Sequence, residues 1–379
     1  MRKNEILLYF LLAISVLSAC TEKGSDATRS GLLRENFRAV VNGVETDLYT
    51  LTNTNGMEVC FTNHGARIVS VMVPDREGVM RDVVLGFDSI QGYIHVASDF
   101  GATVGRYANR IDCGRITIDG VEYQLPQNNY GHCLHGGPNG FQTQVFEVES
   151  ATDSTLVMKY MAADGEEGFP GNITCKVAYT LTHDNAIAIN YSATTDATTI
   201  INLANHAYFN LDGNASMSNA DYLFYINASG FTPVDSTLMT NGEILSVEGT
   251  PMDFRQPTAV GERIDNVDEQ LAYGMGYDHN WVLDTQGDMS QVAARLVSQA
   301  TGIVLEVYTD QPGLQVYSGN FLNGSVIGKG GVACNHRSAM VLETQKYPNS
   351  PNYAHWPSPL LRPGETYEAN CIYRFDVEK

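Results

Sequence analysis

Basic residues are scarce in this 379-residue sequence. Only 23 lysines and arginines stand against 43 aspartates and glutamates, which gives a formal net charge of −20 at pH 7. A protein that binds nucleic acid needs a basic footprint, so this composition argues against such a partner. The negative charge also provides no strong attraction to anionic lipid. It indicates a solvated acidic exterior, and we attach no catalytic meaning to it.

Paired cysteines are also lacking. Apart from Cys20, the cysteines are scattered, with no C-x-x-C and no metal-ligand spacing: Cys60, Cys113, Cys133, Cys175, Cys334 and Cys371. Their density is far below that of a disulfide scaffold, so we expect most of them to be buried free thiols, with any pairing left open. His132 and His135 form a lone H-x-x-H, which is a weak zinc signal without further ligands, and we expect no metal site.

Long hydrophobic runs are absent after the first twenty residues. Arg2 and Lys3 precede an apolar run, residues 6–17, that is too short to span a bilayer comfortably. This pattern predicts a secretory signal peptide over residues 1–19. Cys20, directly after Leu17-Ser18-Ala19, resembles the lipobox of bacterial lipoproteins, in which the cysteine after the cleavage site is acylated. An ordinary signal cut at Ala19 and an uncleaved anchor are the alternatives.

The next segment, residues 20–34, is polar and rich in small residues, and we expect a flexible tether. Residues 35–379 contain no clean linker and no obvious repeat, so we expect one domain. The protein is therefore predicted to be exported to the cell envelope, where the lipid anchor is its sole contact with a membrane.

Convincing amphipathic helices are lacking as well; one short helix is predicted over residues 88–95, with Asp88 as its N-cap. Short runs rich in Val, Ile, Thr and Tyr recur instead, among them residues 57–63, 66–73, 173–182 and 339–344. Turn signals such as Asn55-Gly56 separate them. Many closely spaced strands with glycine-rich turns predict an all-β sandwich or barrel.

The segment 201–211 combines two kinds of face. Asn202, His206, Tyr208 and Asn210 alternate with apolar residues, which predicts a strand with one polar and one apolar side. A polar face made of a histidine, a tyrosine and two amides suits a pocket that hydrogen-bonds a neutral polyol and handles one proton. The alternative is a half-buried strand with a satisfied histidine.

Further polar residues interrupt other glycine-rich or apolar segments. Residues 105–111 contain Arg106 and Arg110, which can each fork two hydrogen bonds to vicinal hydroxyls, although a structural ion pair is the alternative. The loop 136–140 places His135 at the edge of an element.

Two carboxylates and an amide occur in apolar strands. Asp278 enters a strand beside an aromatic residue in the segment 277–283, which suits binding of two sugar hydroxyls with ring stacking. The alternative is a turn aspartate that caps the preceding loop. Glu343 ends an apolar strand, where burial can raise its pKa towards the value that a general base needs. Gln315 lies among apolar neighbours in a third strand.

Together these segments resemble the aldose 1-epimerases, also called galactose mutarotases. Eight pieces match in the family's order: 65–69 with 73–75, 84–87, 105–111, 134–141, 205–211, 278–279, 311–315 with 318–320, and 342–345 with Pro348. The resemblance implies a large twisted antiparallel β-sandwich with few short helices and an open sugar-binding cleft, with no cofactor and no metal.

Carried over residue by residue, the resemblance places the family's catalytic base on Glu343 and its catalytic acid on His206. Its sugar-binding residues fall on Asn109, Arg110, His135, Asp278 and Gln315. The sequence departs from the family at His132-Cys133 and at Ala204 and Ala207. These departures bear on sugar preference and leave the acid–base pair unchanged.

The expected activity is interconversion of the α and β anomers of hexoses such as galactose and glucose, so the expected partner is a small aldose sugar. Two alternatives remain from the sequence. One is a glycoside hydrolase with Asp278 and Glu343 as its carboxylate pair. The other is a non-catalytic sugar-binding lipoprotein of the same fold, which gives no reason for pairing His206 with Glu343. The preferred sugar and the oligomeric state stay open.

Overall fold

A computed structural model of the protein describes residues 27–96 and 98–378. The predicted signal peptide and Cys20 lie outside these residues. Within the predicted tether, parts of residues 27–34 contact the domain, so the folded part begins before the expected residue 35. Leu32 is buried in an apolar cluster with Phe37 and Leu48, and the backbone N–H of Arg29 donates to Glu58 Oε1 at 2.7 Å. The described helices include none that is long and apolar enough to cross a membrane.

The largest sheet in the described residues has nine antiparallel strands, and we call it the outer sheet. In spatial order its strands are Glu147–Ala151, Thr155–Ala162, Ile173–Leu181, Ala186–Thr195, Tyr367–Val377, Ile303–Thr309, Ala294–Val297, Leu223–Ile226 and Thr258–Ala259. Burial along Ile173–Leu181 alternates with a period of two, because one face packs on the core and the other faces solvent.

The second sheet, which we call the cleft sheet, has six described strands. In spatial order these are Tyr208–Phe209, Met340–Gln345, Gly313–Tyr317, Asp278–Leu283, Ala228–Thr232 and Leu245–Ser246. Every residue of Met340–Gln345 and of Gly313–Tyr317 is buried. Both faces of these central strands are therefore covered, so the polar residues on either face lie out of bulk solvent.

Smaller described sheets complete the fold. Four strands form one antiparallel sheet: Leu48–Thr52, Glu58–Thr62, Arg67–Pro74 and Met80–Asp82. Five two-stranded ladders are Ala39–Val41 with Val44–Thr46, Thr103–Val104 with Ala204–Asn205, Arg110–Ile111 with Cys133–Leu134, Arg115–Ile118 with Val121–Gln124, and Thr199–Ile200 with Leu360–Leu361.

One apolar core joins the sheets. It includes Val177 and Ile189 from the outer sheet together with Leu314 and Leu342 from the cleft sheet. The hydroxyl of Tyr373 in the outer sheet donates to the Leu342 carbonyl oxygen in the cleft sheet at 2.7 Å. The two sheets thus face each other across a common core, and the predicted all-β sandwich is confirmed.

Two short α-helices occur in the described residues, α1 (Ile90–His95) and α2 (Glu269–Gly274). The N-cap of α1 is Ser89, not the predicted Asp88, and it makes no side-chain cap bond. Helix α2 was not predicted from the sequence; its N-cap Asp268 accepts from the backbone N–H groups of Gln270 and Leu271. Six residues are too few for a clear helical period.

Cysteines are unpaired throughout the described residues. The expectation of buried free thiols is confirmed for Cys60, Cys133, Cys175, Cys334 and Cys371, whereas Cys113 is exposed.

Candidate active site

The central strands of the cleft sheet bring three predicted site residues onto one face. Gln315 pairs directly with Glu343 on one side and with Asn280 on the other. Asp278 lies two residues before Asn280, so its side chain projects from the same face. Sheet register alone therefore places Asp278, Gln315 and Glu343 side by side.

Polar side chains that the sequence predicts to bind sugar surround Asp278. Gln315 Nε2 donates to Asp278 Oδ1 at 2.7 Å, and Arg110 Nη2 lies 4.0 Å from Asp278 Oδ2. Arg110 Nε also donates to Asn129 Oδ1 at 2.9 Å. The guanidinium is thus aimed by two partners, with further N–H donors free for a ligand.

His206 lies between two short strands. One continuous strand was expected here from the sequence, and that expectation is wrong. Ala204–Asn205 pairs with Thr103–Val104, whereas Tyr208–Phe209 pairs with Met340–Gln345. The chain leaves one ladder and joins another here, and His206 occupies the break.

The prediction that four polar residues of this segment share one face towards a pocket is therefore correct for only two of them. His206 and Tyr208 line the cavity described below. Asn202 instead donates to the Ala108 carbonyl oxygen at 3.1 Å, and Asn210 donates to that of Ser338 at 2.6 Å. These two amides satisfy buried backbone groups, which costs less than leaving such groups unpaired.

His135 and Asn109 meet beside Arg110. The backbone N–H of Asn109 donates to His135 Nδ1 at 3.1 Å, and Asn109 Oδ1 accepts from the backbone N–H of Arg110 at 2.8 Å. Because Nδ1 of His135 accepts, its Nε2 carries the proton and is a donor. The His135 ring lies edge-on to the His206 ring, with 5.1 Å between centroids.

Other residues singled out in the sequence lie elsewhere. Arg106 is buried and donates to the carbonyl oxygens of Pro170 and Gly171, both at 2.9 Å, so its role is structural. The two aromatic residues of the segment 277–283, Tyr277 and Trp281, are both buried in the core. The suggested ring stacking on an aromatic residue beside Asp278 is therefore wrong.

His132 stands apart from His135. Its Nδ1 accepts from the backbone N–H of Cys113 at 3.1 Å, and its Nε2 lies 2.9 Å from Thr237 Oγ1. Both histidines of the H-x-x-H thus use Nδ1 for a backbone hydrogen bond, and the described residues do not bring them into one ligand cluster.

Six of the seven predicted site residues line an open cavity of about 510 Å³. The seventh, Gln315, does not line it and donates to Asp278 instead. The lining includes Arg110, His135, His206, Asp278 and Glu343, together with residues that the sequence analysis did not select: Asp99, Asn129, Tyr130, Leu134, Tyr317 and Phe321. His206 Nε2 and Glu343 Oε1 are 3.6 Å apart. A proton donor and a proton acceptor therefore face one ligand-sized space.

Comparison with known proteins identifies the family. The family model "Aldose 1-epimerase" matches residues 47–374. This chain belongs to the aldose 1-epimerase family. A galactose mutarotase from Bos taurus is 41% identical over 321 residues, which cover 85% of this chain and 92% of that protein. An aldose 1-epimerase from Escherichia coli K12 is 37% identical over 349 residues, which cover 92% of this chain and 100% of that protein.

Solved structures agree with the family assignment. An aldose epimerase homologue from C. elegans superposes with a TM-score of 0.82 at 31% identity, covering 88% of this chain and 100% of that one. A galactose 1-epimerase from Lactobacillus acidophilus superposes with a TM-score of 0.79 at 27% identity, covering 89% and 97%. As a member of this family, the chain is an isomerase.

Burial sets the proton affinities in this epimerase cleft. Burial raises the pKa of Glu343 well above 4.5, and the charges of Asp278 and Asp99 add to the rise while Arg110 opposes it. Burial also lowers the pKa of His206 below 6.5. Both shifts favour neutral forms, since a desolvated charge is costly. The pair therefore holds one titratable proton at pH values between the uptake of a second proton and the loss of the last.

Burial also shifts the pKa values of the residues that are predicted to bind sugar. Burial, helped by the charges of His206 and Arg110, lowers the pKa of His135 well below 6.5. His135 is consequently neutral and donates through Nε2. Burial raises the pKa of Asp278, but Arg110 and the hydrogen bond from Gln315 oppose that rise.

Proposed function

We propose that the chain interconverts the α and β anomers of free hexoses such as galactose and glucose, with Glu343 as the base and His206 as the acid. The observation that carries this proposal is the 3.6 Å separation of His206 Nε2 and Glu343 Oε1 within one cavity. The anomeric hydroxyl oxygen and the ring oxygen of an aldose are bonded to the same carbon. Two adjacent proton-transfer groups suit that geometry.

The reaction needs one base and one acid. Glu343 takes the proton of the anomeric hydroxyl while His206, as imidazolium, protonates the ring oxygen. The bond between the anomeric carbon and the ring oxygen breaks, and the resulting aldehyde rotates about its bond to the next carbon. The two residues then exchange roles and the ring closes on the other face. Each proton-transfer group contributes typically 10²- to 10⁴-fold.

Proton accounting supports a single shared proton. The reactive arrangement has that proton on His206 and a carboxylate at Glu343, and the closing step restores it. The alternative arrangement, with both groups neutral, contains the same number of protons. Neither anomer is oxidised or reduced, so the proposed steps balance within the pair and the sugar.

The remaining sugar hydroxyls are proposed to bind to the group around Asp278. Arg110 and the Nε2–H of His135 donate, Asp278 accepts, and Gln315 and Asn109 hold these groups in place. Two exposed aromatic residues at the mouth of the cavity, Tyr130 and Phe321, offer apolar faces to a pyranose ring.

We further propose that the protein is anchored in the bacterial cell envelope through acylated Cys20. Support comes from the basic Arg2 and Lys3, the apolar run of residues 6–17 and the small residues before Cys20. The acidic composition offers no second means of binding an anionic membrane.

Polarimetry tests the proposed activity. Purified protein added to freshly dissolved α-galactose should accelerate the approach to the equilibrium rotation, and Glu343→Gln should abolish most of that acceleration. An aryl galactoside measured in parallel should release no free sugar. Sugar release would support the hydrolase alternative, and binding of galactose without faster mutarotation would support the sugar-binding alternative.

A further inference from the structure

Three carboxylates line the cavity, and Asp99 is the one that has no role assigned from the sequence. It lies in a loop whose backbone is fixed on both sides. Arg67 Nη1 donates to the carbonyl oxygens of Ser98 at 3.4 Å and Phe100 at 2.9 Å, and Gly101 N–H donates to the carbonyl oxygen of His206 at 3.0 Å. The loop that carries Asp99 is therefore hydrogen-bonded to the backbone of His206 two residues further on, at Gly101.

The Asp99 carboxylate reaches both histidines of the site. One of its oxygens and a ring nitrogen from each of His135 and His206 all lie within 4.8 Å of one another. Among the described residues, none donates a hydrogen bond to this carboxylate. Its charge is thus not committed to a structural partner.

A metal ion is a poor occupant of this cluster. Nδ1 of His135 already accepts from the backbone N–H of Asn109, so the Nε2 of His135 carries a proton and has no lone pair to offer. The geometry therefore favours an electrostatic role for Asp99.

Arg67 provides the reason for a carboxylate at this position. It is 1% exposed, and its guanidinium donates only to carbonyl oxygens in the described residues, which leaves its charge without a direct ion pair. A buried cation near His206 disfavours a second positive charge on the imidazole. A carboxylate beside both groups offsets that effect.

We propose that Asp99 is a positioning residue for the acid–base pair: its carboxylate compensates Arg67 and draws the single proton of the pair onto His206. This inference rests on the proposed function of His206 as the acid. It concerns the state of the proton and not a contact with the sugar.

The surroundings of His206 agree with this role. The titratable and charged groups that face it are Asp99, Asp278, Glu343, Arg67, Arg110, His135 and Tyr208. Of the charges that act on the pKa of His206, Asp99 raises it most, ahead of Asp278. For the pKa of Glu343 the order is reversed, with Asp278 ahead of Asp99. Because an Asp99 carboxylate oxygen also lies within 4.8 Å of a ring nitrogen of His206, its charge stabilises the imidazolium form of that residue.

Asp99→Asn tests the inference because it keeps the shape and removes the charge. We expect kcat for galactose mutarotation at neutral pH to fall about tenfold with KM little changed, and the acid limb of the rate profile, which follows His206, to move to lower pH by about one unit. Asp99→Glu should restore most of both. The matched control is Asp119→Asn, an exposed carboxylate that contacts Arg362 outside the cavity, and it should behave as wild type.

A second readout does not depend on activity. The imidazole resonances of His206, assigned with His206→Asn, should titrate at lower pH in Asp99→Asn than in wild type. An unshifted titration and an unshifted rate profile in a folded Asp99→Asn variant overturn the inference while wild-type mutarotation leaves the proposed function intact. A variant that loses galactose affinity at unchanged pH dependence overturns it in favour of a sugar contact. If wild type has no mutarotase activity, the proposed function fails and the titration still decides whether Asp99 controls His206.

Discussion

Glu343 illustrates how a single side chain acquires a chemical role from its surroundings. It is 2% exposed, and its Oε2 has no hydrogen-bond partner among the described residues. A buried carboxyl without full hydrogen bonding is costly, so a stable fold tolerates it mainly where a ligand or a proton uses it. Its neighbour His206 is the only described side chain within ion-pair distance of it.

Removing either member of the pair should abolish chemistry and spare binding. Glu343→Gln and His206→Asn should each lower kcat by about 10²-fold or more, because each removes one proton-transfer group. Galactose affinity should stay close to that of wild type, since the hydrogen-bonding groups around Asp278 remain. Polarimetry measures kcat, and calorimetric titration measures galactose affinity separately. A folded Glu343→Gln variant with near-normal mutarotation would mean that Glu343 is not the base.

Removing a binding group should have the opposite signature. Arg110→Ala deletes the guanidinium that faces Asp278 and should weaken galactose binding as well as lower kcat/KM. The physical reason is that these hydrogen bonds exist in both ground and transition states. The same two measurements apply, with Arg362→Ala as a surface control. Unchanged affinity in Arg110→Ala would contradict its assignment to sugar binding.

The pH dependence follows from the two pKa shifts. As pH falls through the lowered pKa of His206, the pair takes up a second proton and Glu343 can no longer act as a base. As pH rises through the raised pKa of Glu343, the pair loses its last proton and the acid is gone. We expect a bell-shaped profile of kcat/KM whose acid limb lies below 6.5 and whose alkaline limb lies above 4.5. An alkaline limb that persists unchanged in Glu343→Gln would contradict this assignment.

At the scale of elements, the cleft sheet and the loop 98–102 position the site. Sheet register aligns Asp278, Gln315 and Glu343, and the loop joins the four-stranded sheet to the His206 backbone through Gly101. Gly101 has φ +69°, and a Cβ there would overlap the carbonyl oxygen of Ile68. Only glycine fits at this crossing.

Gly101→Ala should therefore be strongly destabilising. We expect the free energy of unfolding to fall by at least about 2 kcal/mol, because the overlap adds to the cost of a left-handed conformation. Gly120→Ala is the matched control, since Gly120 has φ +82° but no heavy atom near the Cβ position. Chemical denaturation gives the free energy of unfolding of both variants, and the difference between their losses is the part that comes from the steric overlap. Equal losses would show that the close approach to Ile68 is unimportant.

At the scale of the whole molecule, the proposed activity and the proposed membrane anchor belong to different parts of the chain. The domain begins earlier than expected because Leu32 is buried in it. The proposed anchor lies at Cys20, outside the described residues. We expect the activity to reside in the domain, because the residues proposed for the site all lie within residues 99–343.

Cys20→Ser should release the protein from the membrane. Expressed in a bacterium with a lipoprotein pathway, the wild type should partition with membranes and the variant with the soluble fraction, because each acyl methylene contributes about 0.8 kcal/mol to membrane binding. Mutarotase activity per mole should be equal in both. Cys113→Ser, which alters an exposed cysteine of the domain, is the control. Membrane partition of Cys20→Ser identical to that of wild type would exclude the lipobox.

Local patterns determined a large part of this protein. Alternation over residues 173–182 and the apolar run over residues 339–344 both predicted strands that the structure contains, because a period of two follows from strand geometry and a short apolar run suits a strand covered on both faces. The residues proposed for the site, such as Glu343 and Arg110, came from short motifs and their resemblance to a family, and the cavity brings them together. Short elements such as α2 escaped because six residues carry too little periodicity.

Only the tertiary structure decided which polar residues face the cavity. Asn202 and Asn210 share the local pattern of His206, yet they are turned to buried backbone carbonyls. Asp99 has no distinctive local pattern, yet a loop crossing places it beside His206. Sequence fixes alternation along a strand through bond geometry, whereas proximity between distant segments depends on sheet register and packing across the core. The proton affinities of Glu343 and His206 depend on burial and neighbouring charge, so they too arise only in the folded molecule.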